Sequence, residues 1–319
     1  MEVSQFTALA RAEFARGMQE AFERPVPAGY DQFVTTYPST AKVETHTYMS
    51  NLPRLSRFKG YSPGVRLEDK TYTLPNIEYR VGPISVKKSD IADDQTGGYM
   101  GSIKGLPERA RKDIGHEVLS HLANGTTNLC FDGTAFFANA HTFGSGDNLD
   151  TFDGSANDGA THKIIALITD GSLKPVIFQD REALSSLMTD EGTPGADKLR
   201  EFEYWADCRF GLGYGHWWNG YHVTITDTPT VAECYTIVEQ IINGFRTFTL
   251  PKGKDTDSAL YVHEGWTPAT SNFVLCCNLK LGQILKRALS ISQYIASTGN
   301  VDNVYKDVAT VIPTSALGA

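Results

Sequence analysis

Between residues 57 and 88 the chain breaks into short runs in which apolar and polar residues alternate. Val65-Arg66-Leu67, Tyr72-Thr73-Leu74, Ile77-Glu78-Tyr79-Arg80-Val81 and Ile84-Ser85-Val86 are separated by Ser62-Pro63-Gly64, Pro75-Asn76 and Gly82-Pro83. A period of two between turn residues predicts strands folded into a hairpin-like excursion. A lone two-stranded hairpin is marginal in water and leaves open edges. The excursion is therefore expected to lie on a neighbouring surface.

Elsewhere the pattern turns helical. Leu106, Ala110, Ile114, Val118 and Leu122 recur every four residues between Pro107, suited to a first turn, and the stop signal Asn124-Gly125. A helix over 107–124 would be roughly 27 Å long at ~1.5 Å per residue. Thr230 and Glu233 form a capping box, and Val231, Tyr235, Val238, Ile242 and Phe245 supply the apolar stripe of a helix over 231–246. Ser4 can cap a further helix that ends near Arg24, with Phe6, Leu9, Ala10, Phe14 and Met18 on one face. That face is heavy for an isolated element and should pack on this subunit or a neighbour. Another helix is expected from about Lys280 to Ala296. Ile164–Ile168, Pro175–Phe178 and His222–Ile225 read as short strands, 304–312 as a terminal strand, and the polar residues 144–160 as a loop insertion. Strands and helices mix without a βαβ rhythm or an internal repeat, so the fold class is α+β.

At ~150 residues per domain, 319 residues suggest about two domains. Lys and Arg total 29 against 37 Asp and Glu, a net charge of −8 that disfavours a general grip on nucleic-acid phosphates. The apolar runs around Ile164–Ile168 and Phe273–Cys277 fall far below the ~18 residues of a bilayer helix, so no membrane role is expected. Met1-Glu2-Val3-Ser4 lacks the basic and apolar regions of a secretory signal. Cys130, Cys208, Cys234, Cys276 and Cys277 show no C-x-x-C spacing and read as buried, reduced thiols of a protein made in cytoplasm.

Catalytic and ligand-binding motifs are weak. His116 and His121 suggest a zinc-protease helix, but they are five residues apart, about 140° around the axis, so one face cannot present both. They read as exposed helix histidines. Gly211-Leu212-Gly213-Tyr214-Gly215 is one residue short of a dinucleotide fingerprint and reads as a flexible or closely packed turn beside Trp217 and Trp218. Asp147, Asp150, Asp153 and Asp158 lack calcium-loop spacing. Asp132 and His141 could form an acid–base pair, but no nucleophile accompanies them. The preferred reading is a tight Asp132-Gly133 turn, Phe136 and Phe137 packed inward, and a locally hydrogen-bonded His141.

The same segment, Asn128-Leu129-Cys130-Phe131-Asp132-Gly133-Thr134-Ala135-Phe136-Phe137 with His141, resembles the signature of the Mu-like prophage major head subunit family. Other stretches agree in the family's order: 86–97 with Asp90, Asp93 and Asp94; 171–179 with Lys174, Pro175 and Gln179; 206–217 with Arg209, Gly213 and Gly215; and Asn303-Val304-Tyr305-Lys306 before an apolar strand. Two stretches depart. Asn272–Asn278 lacks the prolines of the family's apolar run, and the acidic loop at 144–160 is particular to this chain.

The resemblance implies the Hong Kong 97-type capsid fold. Its parts would be an N-terminal arm (1–50), an extended β loop and its base (51–98), a peripheral domain with a spine helix (99–160), a mainly axial domain (161–300) and a C-terminal strand returning to the peripheral domain (301–319). It implies a tailed-phage or prophage major capsid protein and no enzyme, with no catalytic residue, cofactor or metal. Copies would assemble as pentamers and hexamers into an icosahedral shell enclosing double-stranded DNA without sequence-specific binding. Expected partners are a scaffolding protein, a portal and a decoration protein. The expected location is the virion, after synthesis in the host bacterial cytoplasm. About 50 residues before the loop are too few for a large fused scaffold, so a separate scaffolding protein and no large N-terminal cleavage are expected. The rival readings are a hydrolase using His141 with Asp132 and the shell protein of a bacterial encapsulating compartment.

Overall fold

The computed structural model describes Arg16 and residues 30–49, 69–93, 98–188, 201–249, 261–296 and 299–318. The helix expected over 4–24 lies outside these residues apart from Arg16, as do Asp94 and the run Val65–Leu67.

In chain order, β1 (Val34–Pro38) is followed by β2 (Val43–Met49), β3 (Asp69–Pro75), β4 (Ile77–Lys87), the short helix α1 (Lys88–Asp93) and the long helix α2 (Gly98–Ala123). Then come β5 (Leu149–Asp153), β6 (Thr161–Ile168), β7 (Val176–Met188), β8 (Glu201–Tyr214), β9 (Gly220–Thr226) and α3 (Val231–Thr247). The chain closes with β10 (Phe273–Cys277), α4 (Leu279–Ser290), β11 (Gln293–Ala296), β12 (Gly299–Asp302) and β13 (Thr310–Pro313).

These strands form a four-stranded sheet ordered β1-β7-β8-β4 and a five-stranded sheet ordered β13-β10-β6-β9-β5, plus two separate pairs, β2-β3 and β11-β12. Helix α2 packs on the first sheet through β4, β7 and β8. The second sheet is the apolar centre: β6 residues Ile164 to Ile168 and all of β10 are at most 1% exposed. Over it lie α3, which buries Cys234, Ile237, Val238, Ile241, Ile242 and Phe245, and α4, which buries Leu281, Leu285, Ala288 and Leu289. One core cluster runs through Val118 and Leu122 of α2, this sheet and both helices. The α+β class stands.

Several expectations are corrected. The run Tyr72–Leu74 belongs to a hairpin, but its partner is β2, with Val43 opposite Pro75 and Met49 opposite Asp69. Asn76 ends the hairpin: its amide donates to Lys42 O, and its Nδ2 donates to Ser39 Oγ (2.7 Å) and Ala41 O (2.8 Å). The chain then enters the first sheet as β4, paired with β8 from Ile77↔Phe210 to Lys87↔Glu201, with an irregularity at Gly82-Pro83. Helix α2 begins at Gly98, so Pro107 lies in its interior. An interior proline forfeits a backbone hydrogen bond, which burial of Leu106, Pro107 and Ala110 offsets.

The polar stretch 144–160 contains β5, a parallel edge partner of β9, whose half-buried Leu149 and Phe152 make a weak strand signal. Helix α4 stops at Ser290 rather than Ala296 because Asn303 Nδ2 donates to the carbonyls of Ala288 (2.8 Å) and Ile291 (2.9 Å). The terminal strand pairs with β10 of the five-stranded sheet, and the turn Ser315–Leu317 packs on α2.

The capping box of α3 is present: Thr230 Oγ1 accepts from the Glu233 amide, and Glu233 Oε2 accepts from the Thr230 amide at 2.7 Å. Thr230→Ala should lower unfolding free energy by about 1 kcal/mol in urea titration of the unassembled subunit.

Candidate functional site

Strand β8 alternates strictly through Phe202, Tyr204, Ala206, Cys208 and Phe210, all buried. Its last four residues then carry glycine at every second position, Gly211 and Gly213, with Leu212 and Tyr214 between them. A Cβ on Gly211 would meet Pro75 O and Gln179 Nε2, each at 2.7 Å. One on Gly213 would meet Leu74 Cδ1 at 2.3 Å, and one on Gly215 would meet Lys174 O at 2.2 Å. The expected turn is therefore mostly strand, and its glycines form a bare track. The end of β3 rests on Gly211 and Gly213, and the chain before β7 rests on Gly215.

Polar and aromatic contacts clamp the hairpin there. Gln179, fully buried and opposite Gly211, accepts from His46 Nε2 at 2.7 Å and donates to Leu74 O and Asn76 Oδ1, each at 3.3 Å. Tyr48 stacks on Phe131 with ring centroids 4.2 Å apart and donates its hydroxyl to Tyr214 O at 2.8 Å. Tyr72 donates to Leu129 O at 3.1 Å. Burial pushes the Tyr48 hydroxyl well above its usual range, so it stays a neutral donor.

The loop after α2 packs behind this root. Gly125 leaves room for the Phe137 ring, and Phe136 stacks on Tyr214 at 4.5 Å. Gly133, at φ +79°, makes the tight turn. Asp132 Oδ1 accepts from the Thr134 amide (2.9 Å) and Cys130 Sγ (3.0 Å), and Oδ2 lies 2.8 Å from His141 Nδ1. Burial alone would raise the Asp132 pKa, but the bonds from His141, Cys130 and Thr134 outweigh it and hold the carboxyl below its usual value. His141 stacks on Trp217 at 4.0 Å. Neither side chain of the pair is exposed, and the neighbouring Cys130 thiol is pushed up by burial and by Asp132. Substrate has no access to such a pair, so it is a structural clamp.

The remaining motif residues divide. Lys174 joins the root's flank, its amide donating to Thr35 Oγ1 (2.9 Å) and its Nζ to Asp31 O (2.6 Å), while Pro175 O accepts the Gly215 amide (2.8 Å). Arg209 lies further along β8 beside Glu182 (3.7 Å). Asp90 and Asp93 sit on α1, outside this cluster. His116 is exposed as expected, but His121 is half-buried and stacks on Tyr214 at 4.3 Å. All five cysteines are free and buried. Sequence reasoning passed over His46, Tyr48, Asn76 and Asn148, of which only Asn76 left a signal, in the pair Pro75-Asn76.

Asp132→Ala leaves two buried donors, Cys130 Sγ and His141 Nδ1, and the half-buried Thr134 amide without their acceptor. At about 1–3 kcal/mol for a donor so stranded, destabilisation of about 3 kcal/mol or more is expected, read as a lower urea midpoint at unchanged slope. Burial also lowers His121, His216 and His222 to about 4 from 6.5. Groups with depressed pKa bind protons more readily when unfolded, so stability should be full above pH 6.5 and fall as pH drops toward 4. A flat unfolding free energy across that window would contradict their burial.

The model of the family described as Mu-like prophage major head subunit gpT matches residues 5–246. Over 209 residues the chain is 28% identical to the Mu-like prophage FluMu major head subunit of Haemophilus influenzae, a match covering 60% of this chain and 64% of that protein. Over 216 residues it is 24% identical to the major capsid protein of Escherichia phage Mu, covering 65% of this chain and 68% of that one. Among solved structures, it superposes on a chain of the bacteriophage JBD30 procapsid with a TM-score of 0.69 and 23% identity, covering 99% of this chain and 100% of that one. The JBD30 capsid chain gives 0.71 and 18%, covering 92% of each. The fold is that of phage capsid chains, the Hong Kong 97 type expected above. The chain belongs to the Mu-like prophage major head subunit gpT family.

Proposed function

We propose that this chain is the major capsid subunit of a tailed phage or prophage, assembling into the pentamers and hexamers of an icosahedral shell around double-stranded DNA. The observation that carries this reading is the rooted hairpin. Strands β2 and β3 pair only with each other among the described residues, outside both sheets, yet one face is held on β8 from Leu74 at one end to Tyr48 at the other. Such a device holds a two-stranded arm in one direction, as contact with an adjacent subunit requires. Head-to-tail contacts of this kind close into rings, and their repetition lets modest interfaces sum to a stable shell.

In this reading α2 is the spine of a peripheral domain built on the first sheet, which adds β1, β4, β7 and β8 to the residues 99–160 expected there. The five-stranded sheet with α3 and α4 is the axial domain. The JBD30 capsid also occurs decorated with minor capsid protein trimers, which supports a decoration partner for this chain. A scaffolding protein and a portal complete the proposed partners, with synthesis in the host bacterial cytoplasm. The inaccessible Asp132–His141 pair speaks against a hydrolase.

Because β4 is a sheet strand, the informative truncation removes residues 50–68 and joins Met49 to Asp69, which already pair, through a short Gly/Ser link. The variant should remain folded by circular dichroism but form no full-size shells by negative-stain microscopy under conditions where the parent does. Full-size shells from the truncated chain would overturn the role given to the hairpin.

A further inference from the structure

Three metal-ligating side chains converge behind the hairpin root. Cys130 Sγ, an Asp132 carboxylate oxygen and a His141 ring nitrogen lie within 4.8 Å of one another, and all three residues are buried. Asn148 lies on the far side of the His141 ring. Asn148 Nδ2 donates to the carbonyls of Phe136 (2.8 Å), Trp217 (3.1 Å) and Gly220 (3.2 Å), while its Oδ1 accepts the Ala138 amide (2.8 Å). These partners fix its orientation, so the atom it presents to His141 Nε2, 3.4 Å away, is an oxygen. A neutral ring with its hydrogen on Nε2 donates to that oxygen and leaves the Nδ1 lone pair facing Asp132 Oδ2, 2.8 Å away, and Cys130, the tautomer that a metal-bound histidine adopts.

We propose that Cys130, Asp132 and His141 form a structural divalent-cation site, with zinc the matching ion. One sulfur, one imidazole nitrogen and a carboxylate are a zinc donor set, and a bidentate Asp132 would bring the donor atoms to the usual four. Zinc–ligand bonds of about 2.0–2.3 Å place neighbouring donors about 3–4 Å apart, and the present contacts of 2.8 and 3.0 Å need only small shifts to reach that. A thiolate and a carboxylate together cancel the charge of a divalent ion, leaving the buried site neutral. Binding releases the Cys130 thiol proton to solvent and places the ring hydrogen on Nε2, facing Asn148 Oδ1. Asn148, accepting from Nε2–H, is the outer partner that orients a metal-bound histidine. The ion would pin the two ends of the 130–141 loop together. Cysteine spacing could not show this site, because only one of its donors is a cysteine.

The test is the metal content of the purified full-length chain by inductively coupled plasma mass spectrometry, after dialysis to remove loosely held ions. One zinc per chain is expected, lost in Cys130→Ser and retained in Cys208→Ser, whose thiol lies outside the cluster. Refolding with cobalt(II) in place of zinc should give a thiolate-to-cobalt charge-transfer band that Cys130→Ser lacks. A folded parent chain with neither stoichiometric metal nor a cobalt–thiolate band would overturn the proposal and leave a hydrogen-bonded pair. Full zinc occupancy in Cys130→Ser would also overturn it. If Cys130→Ser fails to fold, the two readouts on the parent chain decide alone. None of these outcomes depends on shell formation.

Discussion

A strand that carries glycine at every second position over its last residues controls how the outlying hairpin joins the body of this molecule. With no Cβ at Gly211 or Gly213, the end of β3 comes within van der Waals distance of the β8 backbone, bringing Leu74 O and Asn76 within reach of Gln179. Glycine ordinarily weakens a strand through backbone entropy and a missing packing partner. Here the space is filled by Leu74, itself 3% exposed, so the local loss is exchanged for tertiary burial. Burying a leucine side chain contributes about 1.5–3 kcal/mol, against roughly 1 kcal/mol for a typical hydrogen bond. Apolar contact therefore holds the hairpin down, and the Gln179 and Tyr48 hydrogen bonds fix its direction.

The loop behind the root is rigid for related reasons. Phe131 is stacked under Tyr48, and the next residue, Asp132, is held through both carboxylate oxygens. Asn148 ties the same loop to the chain around Trp217 and Gly220. Hairpin, glycine track and loop thus share contacts, so a change in one is felt by the others. Substitutions in such a set should not add independently.

What the sequence made legible was local. Helix α3 was readable to within a residue because its cap and stripe lie together in the chain. The Asp132-Gly133 turn, the inward Phe136 and Phe137, and the bonded His141 were readable for the same reason. Strand β8 was not recognised although its first half alternates, because its glycines look like a turn until Leu74 is seen lying on them. The end of α4 was placed too late because its carbonyls are capped by Asn303, beyond a separate strand pair. The hairpin was recognised as an excursion but with the wrong partner strand, since Asn76 diverts the chain through contacts with residues 39–42. Position along the chain predicted element type well and predicted what lies on what poorly.

The link from sequence to assembly therefore runs through the glycine track, which converts an otherwise unsupported hairpin into a directed arm. Hydrogen–deuterium exchange on the unassembled Gly211→Ala subunit tests that link most directly, because the added Cβ would meet the Pro75 carbonyl at 2.7 Å. If the track seats the hairpin, amides of 43–49 and 69–75 lose protection while those of Ile164–Ile168 in the central sheet keep theirs. Unchanged protection in the hairpin, or equal loss across both regions, would contradict it.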